Sequence, residues 1–136
     1  MLVEDVMTDP VLTLTPEQTL SDAIGLLRSK RIRHLPVVDE TKLVGIVTDR
    51  DVKKATPSVL SGVQQEEYEN ALVTIKVAQL MTRDPITVTR KSKLKIAVEI
   101  FIEKKVGALP VVDNGDLVGI LTEIDILRVA HDLLPD

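Results

Sequence analysis

The sequence predicts an α/β (α+β) fold in which two copies of one strand–helix–strand–strand–helix repeat pack on each other with pseudo-twofold symmetry. The first observation is self-similarity: after a shift of 74 positions, 19 of the 52 aligned residues from Val3 to Lys54 are identical. The second is periodicity, because apolar residues in each copy alternate between strand spacing and helical spacing. One copy alone buries too little apolar surface to be stable, so the two copies are expected to share a core.

The elements of the first copy follow from these patterns. Val11 to Thr15 alternates apolar residues with Thr, which predicts a half-buried strand. A helix begins after Thr19, a typical cap residue that has an acidic residue three positions further on. Two short apolar strands follow, His34 to Val38 and Leu43 to Val47, and a second helix begins at Asp49.

These patterns divide the chain into three segments. Repeat 1 covers residues 1–54, a connecting segment covers 55–76, and repeat 2 covers 77–136. The connecting segment has no counterpart within the repeat. We expect it to contain a helix that begins near Ser58, directly after Pro57.

Composition excludes several classes of function. The net charge of −4 argues against nucleic acid, whose phosphate backbone requires a surplus of cations. With one Phe, one Tyr and no Trp, the chain also lacks a platform for stacking bases. The absence of cysteine excludes disulfides, thiol catalysis and Cys-ligated zinc. No apolar run is long enough for a membrane helix, and we expect a cytoplasmic protein.

Catalysis finds little support in the sequence. There is no nucleophile elbow, no His-x-x-x-His pair and no acidic metal cluster. The six glycines form neither a P-loop nor a dinucleotide-binding fingerprint. We therefore expect a protein that is not an enzyme and that uses no catalytic cofactor or metal.

One motif does recur, a strand that ends in Gly-apolar-apolar-Thr-x-x-Asp. It places Thr48 and Asp51 in repeat 1, and Thr122 and Asp125 in repeat 2, at the start of a helix. One interpretation is a capping box, in which Thr and Asp satisfy backbone N–H groups at the first helical turn. The other is a ligand site, in which Thr and the helix N-terminus bind phosphate, Asp accepts from ribose hydroxyls and Arg50 pairs with phosphate. The two interpretations are compatible, since a cap can also face a cleft.

The repeated motifs resemble those of a tandem cystathionine-β-synthase (CBS) domain pair, the Bateman module. The likeness rests on the Met-Thr pairs at Met7 and Met81, on the Leu-Pro-Val-Val-Asp strands from Leu35 and Leu109, and on the Gly-to-Asp motif above. It implies two βαββα repeats packed sheet to sheet, with two clefts that bind AMP, ADP, ATP or S-adenosylmethionine. It further implies that the module passes the signal of ligand binding to a partner.

The resemblance also implies which residues contact the ligand. Thr48, Asp51, Thr122 and Asp125 match the family positions that contact phosphate and ribose. A more specific resemblance, to the CBS portion of acetoin-utilisation AcuB-like proteins, rests on the residues from Lys30 to Pro36, on Thr48 to Asp51 and on Ala55 to Ser58.

Further candidates lie next to the second strand of each repeat. Arg33 and His34 end a basic cluster that suits either a phosphate site or a solvated helix end, where cations complement the helix dipole. Their counterparts Gly107 and Ala108 are uncharged, so such a site would serve one repeat only. Because aromatic residues are scarce, an adenine ring would lie between aliphatic walls. The candidates for these walls are Ile32, Pro36, Val106 and Pro110.

The predicted helix from Lys93 to Lys104 is apolar over more than one face. One face should cover the sheet, and the surplus indicates either a homodimer interface that includes Phe101 or cover by the connecting segment. Two functions therefore remain open. The chain is a regulatory module that binds an adenine nucleotide, or a ligand-free dimerisation module whose Thr-x-x-Asp motifs are only caps.

Overall fold

The computed structural model describes residues 1–57 and 64–136. The helix start expected near Ser58 lies outside the described residues. The helices are α1 (Leu20–Ser29), α2 (Asp49–Ala55), α3 (Gln65–Thr74), α4 (Val77–Leu80), α5 (Leu94–Lys104) and α6 (Glu123–Leu133). The strands are β1 (His34–Asp39), β2 (Lys42–Thr48), β3 (Thr82–Arg83), β4 (Ala108–Asp113) and β5 (Asp116–Thr122). The mixed α/β class and the order of the main elements confirm the prediction.

Two compact units make up the chain, and each takes residues from both repeats. We name them after the acidic residue of their Thr-x-x-Asp motif. The Asp51 unit contains Leu12–Glu40 and Val44–Asp84. The Asp125 unit contains Met1–Val11, Thr41–Leu43 and Pro85–Asp136.

The cores of the two units use equivalent positions of the repeat. In the Asp51 unit, α1, β1, β2 and the segment before α1 contribute fully buried residues, namely Leu20, Leu35, Val37, Val47 and Leu14. In the Asp125 unit the residues 74 positions further on are also buried, namely Val88, Leu94, Leu109, Val111 and Leu121. The repeated apolar pattern therefore encodes the same packing twice.

Each core is completed by a segment from the other repeat. Val77, which begins repeat 2, is fully buried in the core of the Asp51 unit. Val3, near the start of repeat 1, is fully buried in the core of the Asp125 unit. Burying a valine side chain stabilises a fold by about 1.5–3 kcal/mol, so neither exchanged segment is a minor addition.

Backbone hydrogen bonds hold the exchanged segments in equivalent ways. The amide of Val77 donates to the carbonyl of Gln18 at 2.7 Å, and that of Leu20 donates to Ile75 at 2.9 Å. In the Asp125 unit the matching bonds run from Val3 to Ser92 at 2.9 Å and from Leu94 to Met1 at 3.0 Å. The exchange is thus a property of the repeat and occurs at both of its copies.

The Met-Thr pair of each exchanged segment lies against a glycine of the other repeat. A Cβ atom at Gly45 would lie 2.7 Å from Sδ of Met81 and 2.9 Å from the carbonyl oxygen of Thr82. A Cβ atom at Gly119 would lie 2.6 Å from Sδ of Met7. Glycine is required at these positions because a side chain would occupy the space of the incoming segment.

The strand predicted from Val11 to Thr15 does not form. Leu14 instead makes a single parallel bridge to Val37, and Val88 makes the matching bridge to Val111. Repeat 2 has Arg90 in place of Pro16 and also forms a single bridge, so the missing N–H group of Pro16 does not explain the short pairing. The rest of the first copy agrees with the prediction, including the Thr19 cap and the helix that begins at Asp49.

The connecting segment contributes a helix to the Asp51 unit. Within the described residues, this segment forms α3, which packs against α1 in the Asp51 unit. Ala71 is its buried residue, whereas Val73 faces solvent.

We predict that Gly45→Ala destabilises the protein by about 1–3 kcal/mol, because the new methyl group overpacks the contact with Met81 and Thr82. Gly25→Ala is the matched control. Apart from its chain neighbours and the backbone of its own helix, nothing lies within 4 Å of a Cβ at Gly25, which is inside α1. The higher helix propensity of alanine should therefore stabilise the protein by up to about 1 kcal/mol. Urea unfolding measures both variants. A Gly45→Ala variant as stable as the parent would show that the close approach is not constrained.

Candidate functional site

The Thr-x-x-Asp motif of repeat 1 forms a capping box at the start of α2. The amide of Thr48 donates to Oδ2 of Asp51 at 2.9 Å, and the amide of Asp51 donates to Oγ1 of Thr48 at 3.1 Å. Both residues are half-buried. The capping interpretation is therefore correct for this motif. The cap places the carboxylate of Asp51 at the N-terminus of α2.

The motif of repeat 2 has the same backbone geometry and a different set of side-chain contacts. The amide of Thr122 donates to Oδ2 of Asp125 at 2.9 Å, and its hydroxyl lies 3.2 Å from the same oxygen. Asp125 is only 6% exposed and is the one charged residue that is buried within the described part of the chain. Arg128 lies 4.0 Å from its Oδ1.

The exchanged Met-Thr segments run beside these motifs. Thr82 in β3 pairs antiparallel with Ile46, two residues before Thr48. Thr8 pairs in the same way with Ile120, two residues before Thr122, through backbone hydrogen bonds of 2.8 and 3.0 Å.

Thr8 is therefore near the acidic residue of the motif, and its Oγ1 donates to Oδ1 of Asp125 at 3.3 Å. The sequence analysis used the Met-Thr pairs only as markers of the repeat and missed Thr8 and Thr82 as site residues. Their recurrence at equivalent positions was the available signal.

The basic residues predicted for repeat 1 lie at the same helix N-terminus. The amide of Asp49 donates to the carbonyl of Arg33 at 3.1 Å, which fixes the start of β1 beside the start of α2. The side chains of Arg33 and Arg50 are exposed, and His34 is half-buried. In repeat 2 the amide of Glu123 makes the equivalent bond to Gly107 at 3.3 Å. The two sites thus share a backbone frame and differ in charge.

The aliphatic candidates differ in how much surface they offer. Ile32 and Val106 are half-buried, whereas Pro36 and Pro110 are less than 2% exposed. Ile32 and Val106 are therefore the better placed of the four to contact a ligand, and the role predicted for the two prolines stays a prediction.

No group of three or more His, Cys, Asp or Glu side chains in the described parts of the chain is arranged to hold a metal ion. No helix in residues 1–57 or 64–136 has both the length and the apolar character needed to cross a membrane.

Comparison with known proteins identifies the family. The family model of the CBS domain matches residues 3–58 and 77–132. The crystal structure of the acetoin utilization protein AcuB from Vibrio cholerae is 36% identical and superposes with a TM-score of 0.83, over 98% of this chain and 92% of that one. The predicted resemblance to a CBS pair of the AcuB type is confirmed.

Two further structural neighbours contain ligands. CBSX2 in complex with AMP is 34% identical, with a TM-score of 0.79 and 97% of each chain covered. The CBS domain pair of MJ0100, in complex with 5'-methylthioadenosine and S-adenosyl-L-methionine, is 30% identical, with the same TM-score and the same coverage.

Curated relatives include longer proteins. The chain spans 46% of the length of MJ1225 from Methanocaldococcus jannaschii, with 36% identity over 129 residues, which are 93% of this chain. It spans 23% of the length of the inosine-5'-monophosphate dehydrogenase of the same organism, with 35% identity over 127 residues, or 92% of this chain. Since the family model covers most of the sequence, the chain belongs to the CBS-domain family.

Proposed function

We propose that the chain is a non-catalytic regulatory module that binds an adenine nucleotide at two sites and signals its binding to a partner protein. One observation carries the proposal. In each unit, a helix N-terminus with a Thr-x-x-Asp motif from one repeat lies beside the Met-Thr strand of the other repeat. AMP and S-adenosylmethionine in two structural neighbours support this ligand class.

Each part of a nucleotide has a chemically suitable partner in the proposed sites. The Asp51 and Asp125 carboxylates accept hydrogen bonds from ribose hydroxyls. The Thr48 and Thr122 hydroxyls and the first amides of α2 and α6 suit a phosphate group. Ile32 and Val106 supply apolar surface for the adenine ring.

Charge favours more phosphate at the Asp51 site. Arg50 is in the first turn of α2, where the helix dipole disfavours a cation, and none of the described residues forms an ion pair with it. Arg33 is fixed beside the same turn. An anionic ligand would offset both charges, so ATP and ADP suit this site better than the Asp125 site, where Ile124 takes the place of Arg50.

The second candidate function is a ligand-free interaction module whose two motifs act only as helix caps. The capping bonds at Thr48 favour it, because they account for the motif without any ligand. Nucleotide titration separates the two functions, since caps alone predict no binding.

We predict that the parent chain binds AMP in calorimetric titration, and that Asp51→Ala and Asp125→Ala each weaken one site by about tenfold to a hundredfold. The reason is the loss of a charged acceptor for the ribose hydroxyls. Asp22→Ala is the matched control, because Asp22 occupies the same capping position at the start of α1 and is outside the proposed sites. Normal AMP binding by both site variants would favour the cap-only function.

We also propose that the protein forms a homodimer through the exposed face of α5 and α6. Ile96 and Ile102 on α5 are 49% and 70% exposed, and Ile124 and Leu127 on α6 are similarly exposed. Phe101 is half-buried and packs against the core of the Asp125 unit, so its role at the interface would be secondary to that of Ile102.

We predict that Ile102→Glu converts the dimer into a monomer at micromolar concentration, because a charge would be buried at the interface. Val73→Glu, at a similarly exposed site on α3, should leave the measured mass at that of the dimer. Multi-angle light scattering measures both variants. A monomeric parent chain would contradict the proposed dimer.

A further inference from the structure

We propose that the Thr8 hydroxyl competes with the ligand for Asp125 in the free protein, so that the Asp51 site fills first with adenine nucleotide. The inference rests on the proposed function and concerns the order in which the two sites act. It follows from a difference between two carboxylates that occupy the same position of the repeat.

Both oxygens of Asp125 already have partners. Oδ2 accepts from the amide of Thr122 at 2.9 Å and lies 3.2 Å from its hydroxyl. Oδ1 accepts from the hydroxyl of Thr8 at 3.3 Å and has the guanidinium of Arg128 at 4.0 Å. The side chain is correspondingly hidden from solvent, with 6% of the residue exposed.

Asp51 differs, because one of its carboxylate oxygens has no partner among the described residues. Its Oδ2 accepts from the amide of Thr48 at 2.9 Å. No other hydrogen bond to its carboxylate and no ion pair is formed by the residues that the structure describes. Thr82 has the strand register of Thr8, but its hydroxyl makes no hydrogen bond to Asp51 in this part of the chain. Lys54 takes the place of Arg128 in the repeat and likewise forms no ion pair among the described residues.

This difference matters for a ribose, which presents two adjacent hydroxyl donors. At Asp51, Oδ1 can accept the first hydroxyl without the loss of any existing bond. At Asp125 the Thr8 hydroxyl takes one acceptor position of Oδ1 and the residue is only 6% exposed, so a ribose hydroxyl competes with Thr8 for the carboxylate. The Thr8 bond is long for an O–H···O contact, so it competes with the ligand and does not exclude it. The expected cost is about three- to tenfold in affinity.

The test measures each site separately by calorimetric titration with AMP. The Asp125→Ala variant leaves the Asp51 site, the Asp51→Ala variant leaves the Asp125 site, and we expect the first variant to bind AMP more tightly. Adding Thr8→Val to Asp51→Ala should tighten AMP binding about three- to tenfold, because valine keeps the shape of threonine and removes the competing donor. Adding Thr82→Val to Asp125→Ala is the matched comparison and should not tighten AMP binding, because the Thr82 hydroxyl makes no hydrogen bond to Asp51 among the described residues. Unchanged or weaker binding after Thr8→Val would overturn the proposal.

A second measurement needs no nucleotide and keeps the two proposals distinguishable. In a double-mutant cycle of thermal unfolding, Thr8→Val and Asp125→Asn should be non-additive, while Thr82→Val and Asp51→Asn should be additive. Additivity at Thr8 and Asp125 would overturn the proposed contact whatever the protein binds. A parent chain that shows the coupling but binds no AMP would instead overturn the proposed function and, with it, the order of filling.

Discussion

The close approach of each Met-Thr segment to a glycine of the other repeat is the contact on which the structure depends. Gly45 and Gly119 leave room for the backbone of Thr82 and for the side chains of Met81 and Met7. The same approach brings Val77 and Val3 into the two cores, where both are fully buried. Each core is therefore completed only when the other repeat contributes its first residues, and the physical unit of the fold differs from the unit of the sequence.

The exchange also determines the composition of the candidate sites. A Thr-x-x-Asp motif alone is a helix cap, and the hydrogen bonds of Thr48 and Thr19 show the same geometry at α2 and α1. The motifs at Asp51 and Asp125 differ from the cap at Thr19 in the residue that pairs beside them. Thr82 and Thr8 pair two residues before the first two motifs, whereas Lys76 pairs with Thr19 itself. Stability and the proposed binding thus draw on the same contacts, and the two sites are free to differ wherever the repeats differ in sequence.

Much of the local structure could be predicted from the sequence. Periodicity and cap residues predicted the bounds of β1 and β2 and the starts of α1 and α2 to within about one residue, since these signals depend on neighbours along the chain. The strand from Val11 to Thr15 was wrong because alternation reports which residues are buried and not how far a segment pairs with a neighbouring strand; Leu14 makes only one bridge. The exchange and the contact of Thr8 with Asp125 were not predicted. That contact joins residues 117 positions apart, and no local pattern specifies which copy a segment will pack against.

The most direct test of the exchange compares two fragments that are both 73 residues long. The fragment of residues 12–84 holds the whole Asp51 unit, including Val77 and Met81. The fragment of residues 2–74 holds nearly all of repeat 1 as the sequence defines it and lacks both of these residues. Urea unfolding followed by circular dichroism should show a cooperative transition for residues 12–84 and none for residues 2–74. A fragment of residues 2–74 that unfolds cooperatively, with stability equal to that of residues 12–84, would contradict the account.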